Sequence, residues 1–87
     1  MVKKKVIVTA KSGLHARPAN LLIKKAQHYH SKVEIAVDEK RFDAKSLLGI
    51  LAAGVDCGTE IEIVCEGPDE QDACEAVSEL IAQGMGE

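Results

Sequence analysis

The chain has 87 residues, of which 46% are hydrophobic and 29% are charged. This length suits one domain over residues 1–87, and the composition excludes a disordered chain. A domain this small has little room for a deep substrate cleft, so a surface site that works against a protein partner is favoured over an enzyme pocket. With a net charge of −3 and one Tyr and one Phe as its aromatic residues, the chain is not expected to bind nucleic acid.

The distribution of charge and cysteine bears on partners and compartment. No lysine or arginine follows Lys45, so a basic face formed by the first half is expected to meet an acidic protein partner. The first ten residues contain an apolar run of only three, which predicts neither a signal peptide nor a membrane span. Three cysteines without a C-x-x-C pair indicate reduced, structural thiols in a cytoplasmic protein. They are Cys57, Cys65 and Cys74.

The first two predicted elements are a strand around residues 6–8 and a helix. Gly13 interrupts the strand pattern as a turn residue. Pro18 fits only in the first turn of a helix, where its missing N–H has no intrahelical acceptor, so the helix begins at His15 or Ala16. Apolar residues then recur at helical spacing and predict one buried face. They are Ala19, Leu22, Ile23 and Ala26.

Alternation over residues 33–37 predicts a second strand, which Asp38-Glu39 turns back into a short strand over residues 40–43. Ser46 is expected to cap a short helix, and Gly54 is expected to end it.

The last strand and helix follow at residues 60–65 and after Gly67-Pro68. Asp69 is predicted to cap this helix, with Asp72 three residues on, and Gly84 to end it. The predicted order is therefore βαββαβα. Because every strand has at most one fully apolar face, an α+β fold with one sheet and all helices on a single side is expected.

The segment from Ser12 to Ala19 carries the chemistry. A histidine at a helix start lies beside backbone N–H groups that have no intrahelical acceptor and that favour bound phosphate. Arg17 adds a fork of donors for phosphate oxygens, and Pro18 stiffens the turn. His15 as a nucleophile in this setting suits reversible phosphoryl transfer. The spacing alone leaves open an ordinary capping histidine beside a solvated arginine.

Residues 13–19, Gly-Leu-His-Ala-Arg-Pro-Ala, resemble the active-site signature of the HPr family, the histidine-containing phosphocarriers of the bacterial sugar phosphotransferase system. A second segment, residues 45–51 followed by Gly54 and Gly58, resembles the regulatory-serine segment of that family. The resemblance spans essentially the whole chain. It implies an open-faced β-sandwich, in which a four-stranded antiparallel sheet carries three helices on one face.

The resemblance also implies roles for individual residues. His15 is the residue phosphorylated, on Nδ1, with Arg17 as its phosphate-side partner, and Ser46 is the regulatory phosphorylation site. Enzyme I, charged by phosphoenolpyruvate, is the implied donor, and sugar-specific IIA domains are the acceptors. An HPr kinase/phosphorylase and a transcriptional regulator of carbon catabolite control are implied partners of Ser46. The chain is then a phosphorylated intermediate and not an enzyme, with no cofactor or metal, and a monomer is expected.

A docking patch is expected on the short helix that follows Ser46. Four large aliphatic residues within five positions cannot all face one way on a helix, so Leu47 or Leu48 should be exposed beside His15. Together with the first helix, this predicts a set of partner-binding residues. They are Ser12, Ala16, Arg17, Asn20, Lys24, Leu47, Leu48 and Leu51.

Two other functions compete with the phosphocarrier. One is a purely regulatory binding module that acts through Ser46 without phosphotransfer, against which the pairing of His15 with Arg17 argues. The other is a small metal or thiol module built on His28, His30 and the cysteines. The local sequence lacks the further ligands that a metal site needs, so solvated histidines are favoured.

Overall fold

The computed structural model describes residues 1–85, and its elements follow the predicted order βαββαβα. The strands and helices are β1 (Val2–Ile7), α1 (Ala16–Gln27), β2 (Lys32–Val37), β3 (Lys40–Asp43), α2 (Leu47–Ala53), β4 (Glu60–Glu66) and α3 (Glu70–Ala82). No helix within this part of the chain is both long and apolar enough to cross a membrane.

The strands form one antiparallel sheet in the order β1-β4-β2-β3. Ile63 of β4 pairs with Ile35 of β2 on one side and with Lys4 of β1 on the other. The open-faced α+β architecture predicted from the sequence is therefore confirmed.

The core lies between one face of the sheet and the helices. Ile35 and Ile63 are fully buried there and belong to the same cluster as Leu22 of α1 and Val77 of α3. Burying a side chain of this size stabilises a fold by about 1.5–3 kcal/mol. The helical periodicity of the apolar residues thus fixes which face of α1 and α3 meets the sheet.

The turn between β2 and β3 sets the register of this hairpin. Asp38 and Glu39 both have positive φ, 49° and 70°, and Val37 pairs with Lys40. Two left-handed residues between paired strands match the twist of a two-residue hairpin loop. The predicted turn is confirmed.

Asp69 occupies the N-cap position of α3, but its predicted capping interaction is wrong. The carboxylate instead accepts hydrogen bonds from the amides of His30 and Ser31, both at 2.9 Å, and from the Ser31 hydroxyl at 2.5 Å. These bonds, led by the Ser31 hydroxyl, lower the pKa of Asp69 to about 2. Because His30 and Ser31 follow α1, the start of α3 is held at the carboxyl end of α1.

The cysteines separate into two environments. Cys65 and Cys74 are buried in the core, and burial raises the pKa of the Cys65 thiol to about 12. Cys57 is exposed, so the prediction of a packing role is wrong for this residue. Cys57 lies in a surface loop after α2, and a loop has no helix or strand periodicity from which the burial of a side chain could be predicted.

Candidate functional site

The loop before α1 is anchored to the loop after α2. Gly13 has a φ of 68°, and a Cβ at this position would lie 2.3 Å from the carbonyl oxygen of Val55 and 2.8 Å from Cα of Asp56. The amide of Leu14 donates to that Val55 oxygen at 2.9 Å, and the Leu14 side chain is fully buried. Glycine is required here because the two backbones touch, and the contact fixes the backbone that leads into His15.

His15 lies at the N-cap position of α1 with extended backbone, φ −125° and ψ 164°. Its side chain makes no capping hydrogen bond, and the ring is 40% exposed. An imidazole that caps nothing and faces solvent is free to react, so the alternative of an ordinary capping histidine loses its basis. The predicted helix start is confirmed.

The first turn of α1 supplies groups suited to an anion. Ala16 has a φ of 50°, a left-handed conformation that costs a non-glycine residue about 1–2 kcal/mol. The amides in this turn have no intrahelical acceptor. None of the salt bridges among residues 1–85 involves Arg17, whose exposed guanidinium is therefore available to phosphate oxygens. Pro18 is buried and fixes this turn against the core.

Asp56 is the site residue that the sequence did not reveal. Its carboxylate Oδ1 lies 3.7 Å from Nε2 of His15, and the Asp56 side chain is 86% exposed. Two helices and two strands separate the residue from His15 along the chain, and no local pattern marks it. Only the contact between the loops before α1 and after α2 brings the two side chains together.

The predicted partner-binding residues lie at the start and outer side of α1 and on α2, which contacts α1, and this set is here called the α1–α2 surface. Ser12, Ala16, Arg17, Asn20 and Lys24 are all exposed along the start and outer side of α1. Beside them, α2 exposes its leucines while Ile50 is fully buried. Their exposed fractions are 46% for Leu47, 81% for Leu48 and 42% for Leu51. The predicted exposure of the leucines is confirmed.

Ser46 caps α2 as predicted, since its hydroxyl oxygen accepts from the amide of Gly49 at 3.2 Å. Gly54, in the left-handed conformation, ends the helix. The neighbouring Lys45 is the last basic residue of the first half, and its ammonium donates to the carbonyl oxygen of Tyr29 at 2.7 Å. It ties the start of α2 to the end of α1, so it is not a free member of the basic face.

The remaining histidines give no sign of a metal site. His28 follows α1 as its C-cap, and the amide of His30 bonds to Asp69. Within residues 1–85, no group of three or more potential ligand side chains could hold a metal ion.

Comparison with known proteins identifies the family. The family model described as "PTS HPr component phosphorylation site" matches residues 2–83. The chain belongs to the HPr family. Its relatives include the phosphocarrier protein HPr of Treponema pallidum (strain Nichols), 44% identical over 80 residues that cover 92% of this chain and 91% of the relative. The HPr-like protein Crh of Bacillus subtilis (strain 168) is 39% identical over 83 residues, 95% of this chain and 98% of Crh.

Solved HPr structures share the fold. HPr-C-His from Thermoanaerobacter tengcongensis superposes with a TM-score of 0.96 at 37% identity, over 100% of this chain and 98% of the other. A second structure from that organism, described as an HPr dimer, matches with a TM-score of 0.79 over 100% of both chains at 37% identity. The chain is thus a member of the phosphocarrier HPr family of the phosphotransferase system in sequence and in structure.

Proposed function

We propose that this chain accepts a phosphoryl group on His15 from Enzyme I, which phosphoenolpyruvate has charged, and passes it to sugar-specific IIA domains. The observation that carries the proposal is the exposed, uncapped His15 ring at the start of α1, with the unpaired Arg17 guanidinium two residues on. Membership of the HPr family supports it. The chain then acts as a phosphorylated intermediate and not as a catalyst.

The first turn of α1 accounts for reversible transfer. The lone pair of Nδ1 forms a bond to phosphorus while the bond from phosphorus to the donor breaks and the donor keeps the electron pair. Arg17 and the amides of the first turn meet the phosphoryl oxygens, which carry the charge in such transfers. Because these groups are in place before the phosphoryl group arrives, little reorganisation opposes transfer in either direction.

The α1–α2 surface is the proposed docking site for both kinds of partner. Leu48 is the most exposed large hydrophobic residue among those described, and exposed leucines beside a reactive group are typical of a protein interface. Arg17 and Lys24 lie on the same side of α1 and favour acidic partners. Lys45 contributes less than the sequence suggests, because the Tyr29 carbonyl occupies its ammonium.

Ser46 is the proposed regulatory site, phosphorylated by an HPr kinase/phosphorylase, and its phosphorylated form is proposed to bind a regulator of catabolite control. A phosphate on the capping oxygen remains near the free amides of α2, so the fold tolerates it. About two negative charges would then lie beside Leu47 and weaken docking of acidic partners. The chain is also similar to Crh of Bacillus subtilis, whose solved structure is described as that of a catabolite repression protein, and this similarity supports a second candidate function, a regulatory module that works through Ser46 alone.

The test is incubation with Enzyme I and labelled phosphoenolpyruvate. We expect acid-labile label on the chain, because a phosphoramidate is lost in acid whereas a phosphoserine survives. The His15→Ala variant should fold normally and take up no label. Label that persists in this variant would remove His15 from the reaction. A wild-type protein that Enzyme I never labels, but that an HPr kinase phosphorylates on Ser46, would establish the regulatory module instead.

We further propose a monomer in the cytoplasm. The free thiols of Cys57, Cys65 and Cys74 support a reducing compartment. The Thermoanaerobacter tengcongensis structure described as a dimer makes oligomeric state a direct question for light scattering. A mass near 9.3 kDa across a concentration series is the expected result, and a mass twice as large would contradict the monomer.

A further inference from the structure

Asp56 is held beside His15 by its own backbone. The carbonyl oxygen of Asp56 accepts from the amide of Thr59 at 3.2 Å, and the preceding carbonyl of Val55 accepts from Leu14. On the other side, Gly13 lies against Val55 and Asp56 so closely that a Cβ would not fit. The Asp56 carboxylate is therefore presented to the imidazole by a braced loop, although the side chain itself faces solvent.

The carboxylate faces one ring nitrogen in particular. Oδ1 of Asp56 lies 3.7 Å from Nε2, and no other salt bridge among residues 1–85 reaches the ring. A neutral imidazole carries its single proton on either nitrogen, and the hydrogen bond or charge beside one nitrogen decides which tautomer dominates. A carboxylate beside Nε2 stabilises the proton there.

We propose that Asp56 is a positioning residue that keeps the imidazole proton on Nε2 and so leaves the lone pair of Nδ1 free to take the phosphoryl group. The effect of Asp56 on phosphoryl transfer rests on the proposed function. Its effect on the tautomer of His15 is a property of the unphosphorylated protein. Asp56 touches neither the phosphoryl group nor the attacking atom and acts only through His15.

The contact between Asp56 and Nε2 suits both directions of transfer, because the proton on Nε2 stays in place throughout. When Nδ1 bonds to phosphorus, the donor leaves with its electron pair. The ring then carries a proton on Nε2 and phosphorus on Nδ1, so it is cationic. The Asp56 carboxylate stabilises that charge. When an acceptor attacks phosphorus, the electrons of the N–P bond return to Nδ1, and the ring departs as neutral imidazole with its proton still on Nε2.

The size of the effect follows from exposure. At 3.7 Å the contact is longer than a direct hydrogen bond, and both side chains reach solvent. Exposed ion pairs shift an equilibrium by about 1.5- to 5-fold, and a carboxylate beside the N–H of a neutral ring shifts the tautomer ratio by no more than that. Added salt reduces the shift. A change of that size in the tautomer ratio is measurable.

The test measures the His15 tautomer in ¹⁵N-labelled, unphosphorylated protein by two-bond ¹H–¹⁵N correlation spectra, at a pH where the ring is neutral. Asp56→Ala should lower the ratio of Nε2–H to Nδ1–H by about 1.5- to 5-fold, with Asp56→Asn between it and wild type. Asp72→Asn is the matched control, since Asp72 is exposed in the first turn of α3, at the end of the molecule away from His15. An unchanged ratio in Asp56→Ala overturns the proposal.

Transfer kinetics test the consequence. We expect Asp56→Ala to lower the rate of phosphoryl transfer from Enzyme I by less than the change in the tautomer ratio, because the rate follows the fraction of His15 rings that carry the proton on Nε2. Asp72→Asn should leave the rate unchanged. A shifted tautomer with a wild-type rate would overturn the role of Asp56 in transfer. If Enzyme I labels none of the proteins, the proposed function fails, while the tautomer ratio still decides whether Asp56 holds the proton.

Discussion

Replacing Gly13 by alanine tests whether the contact between the two loops organises the site. Alanine at a φ of 68° costs about 1–2 kcal/mol. The added Cβ would also lie 2.3 Å from the Val55 carbonyl oxygen, so the backbone must shift, and overpacking of this kind costs a further 1–3 kcal/mol or so. We expect Gly13→Ala to lose roughly 2–5 kcal/mol of unfolding free energy.

Gly54 offers a matched control. Its φ is 61°, close to that of Gly13, but a Cβ there meets nothing within 4 Å. Gly54→Ala therefore carries only the conformational cost, about 1–2 kcal/mol. The difference between the two variants isolates the contact with Val55 and Asp56.

Urea unfolding followed by far-ultraviolet circular dichroism suits this comparison, because the chain has no tryptophan to report by fluorescence. In a domain of this size, each 1 kcal/mol corresponds to a fall in Tm of roughly 4–8 °C. Gly13→Ala should also slow phosphoryl transfer, since His15 and Asp56 move apart, whereas Gly54→Ala should not. Equal losses of stability in the two variants would refute the close contact as the reason for glycine at position 13.

Three further predictions concern the site and the fold. Arg17→Lys should retain the wild-type Tm but transfer the phosphoryl group about five- to tenfold more slowly, because an ammonium cannot make the paired hydrogen bonds of a guanidinium. A wild-type rate in stopped-flow transfer assays would show that the guanidinium geometry is irrelevant. Ser46→Asp should raise the apparent KM for Enzyme I several-fold, with an effect that shrinks as salt rises, and should leave the Tm within a few degrees of wild type. A defect that is indifferent to salt, or a sharply lower Tm, would point to a folding cause. Ser31→Ala removes two partly buried hydrogen bonds to Asp69 and should cost about 1–3 kcal/mol in urea unfolding at neutral pH. Since the folded pKa of Asp69 is depressed to about 2 from 3.8, its stabilising contribution is fully present above pH 3.8 and disappears as pH falls toward 2. The variant should therefore lose less stability than wild type over that interval, and parallel acid profiles would count against the bond.

The sequence predicted those features that depend on neighbours along the chain. The spacing of Ala19, Leu22 and Ala26 located the buried face of α1, and Pro18 located its start. The crowding of aliphatic residues after Ser46 required an exposed leucine, and Leu48 is the most exposed of them. Each of these inferences needs only helix geometry, which acts over a few residues.

The features that the sequence missed depend on contacts between distant loops. Asp56 approaches His15 from the loop after α2, and the Asp69 carboxylate turns to His30 and Ser31 in place of its own helix. An aspartate before a helix has a local cap available, and only the packed fold offers it the better donors. The Lys45 ammonium likewise finds the Tyr29 carbonyl through tertiary packing.

The hydrogen bond between Lys45 and Tyr29 places Ser46 beside the end of α1. The hydrogen bond between Leu14 and Val55 places the end of α2 beside the start of α1. The two helices therefore run in opposite directions, and α2, with 7 residues, separates Ser46 from His15 by about 10 Å along its axis. That distance exceeds the screening length of roughly 8 Å in physiological salt, so the effect at His15 of a charge on Ser46 is largely screened. Only a partner broad enough to cover both helix ends would sense it. A partner that contacts only the surface around His15 would exchange phosphoryl groups whether or not Ser46 carries a charge. The contact area of an acceptor on this chain would therefore decide whether Ser46 affects it.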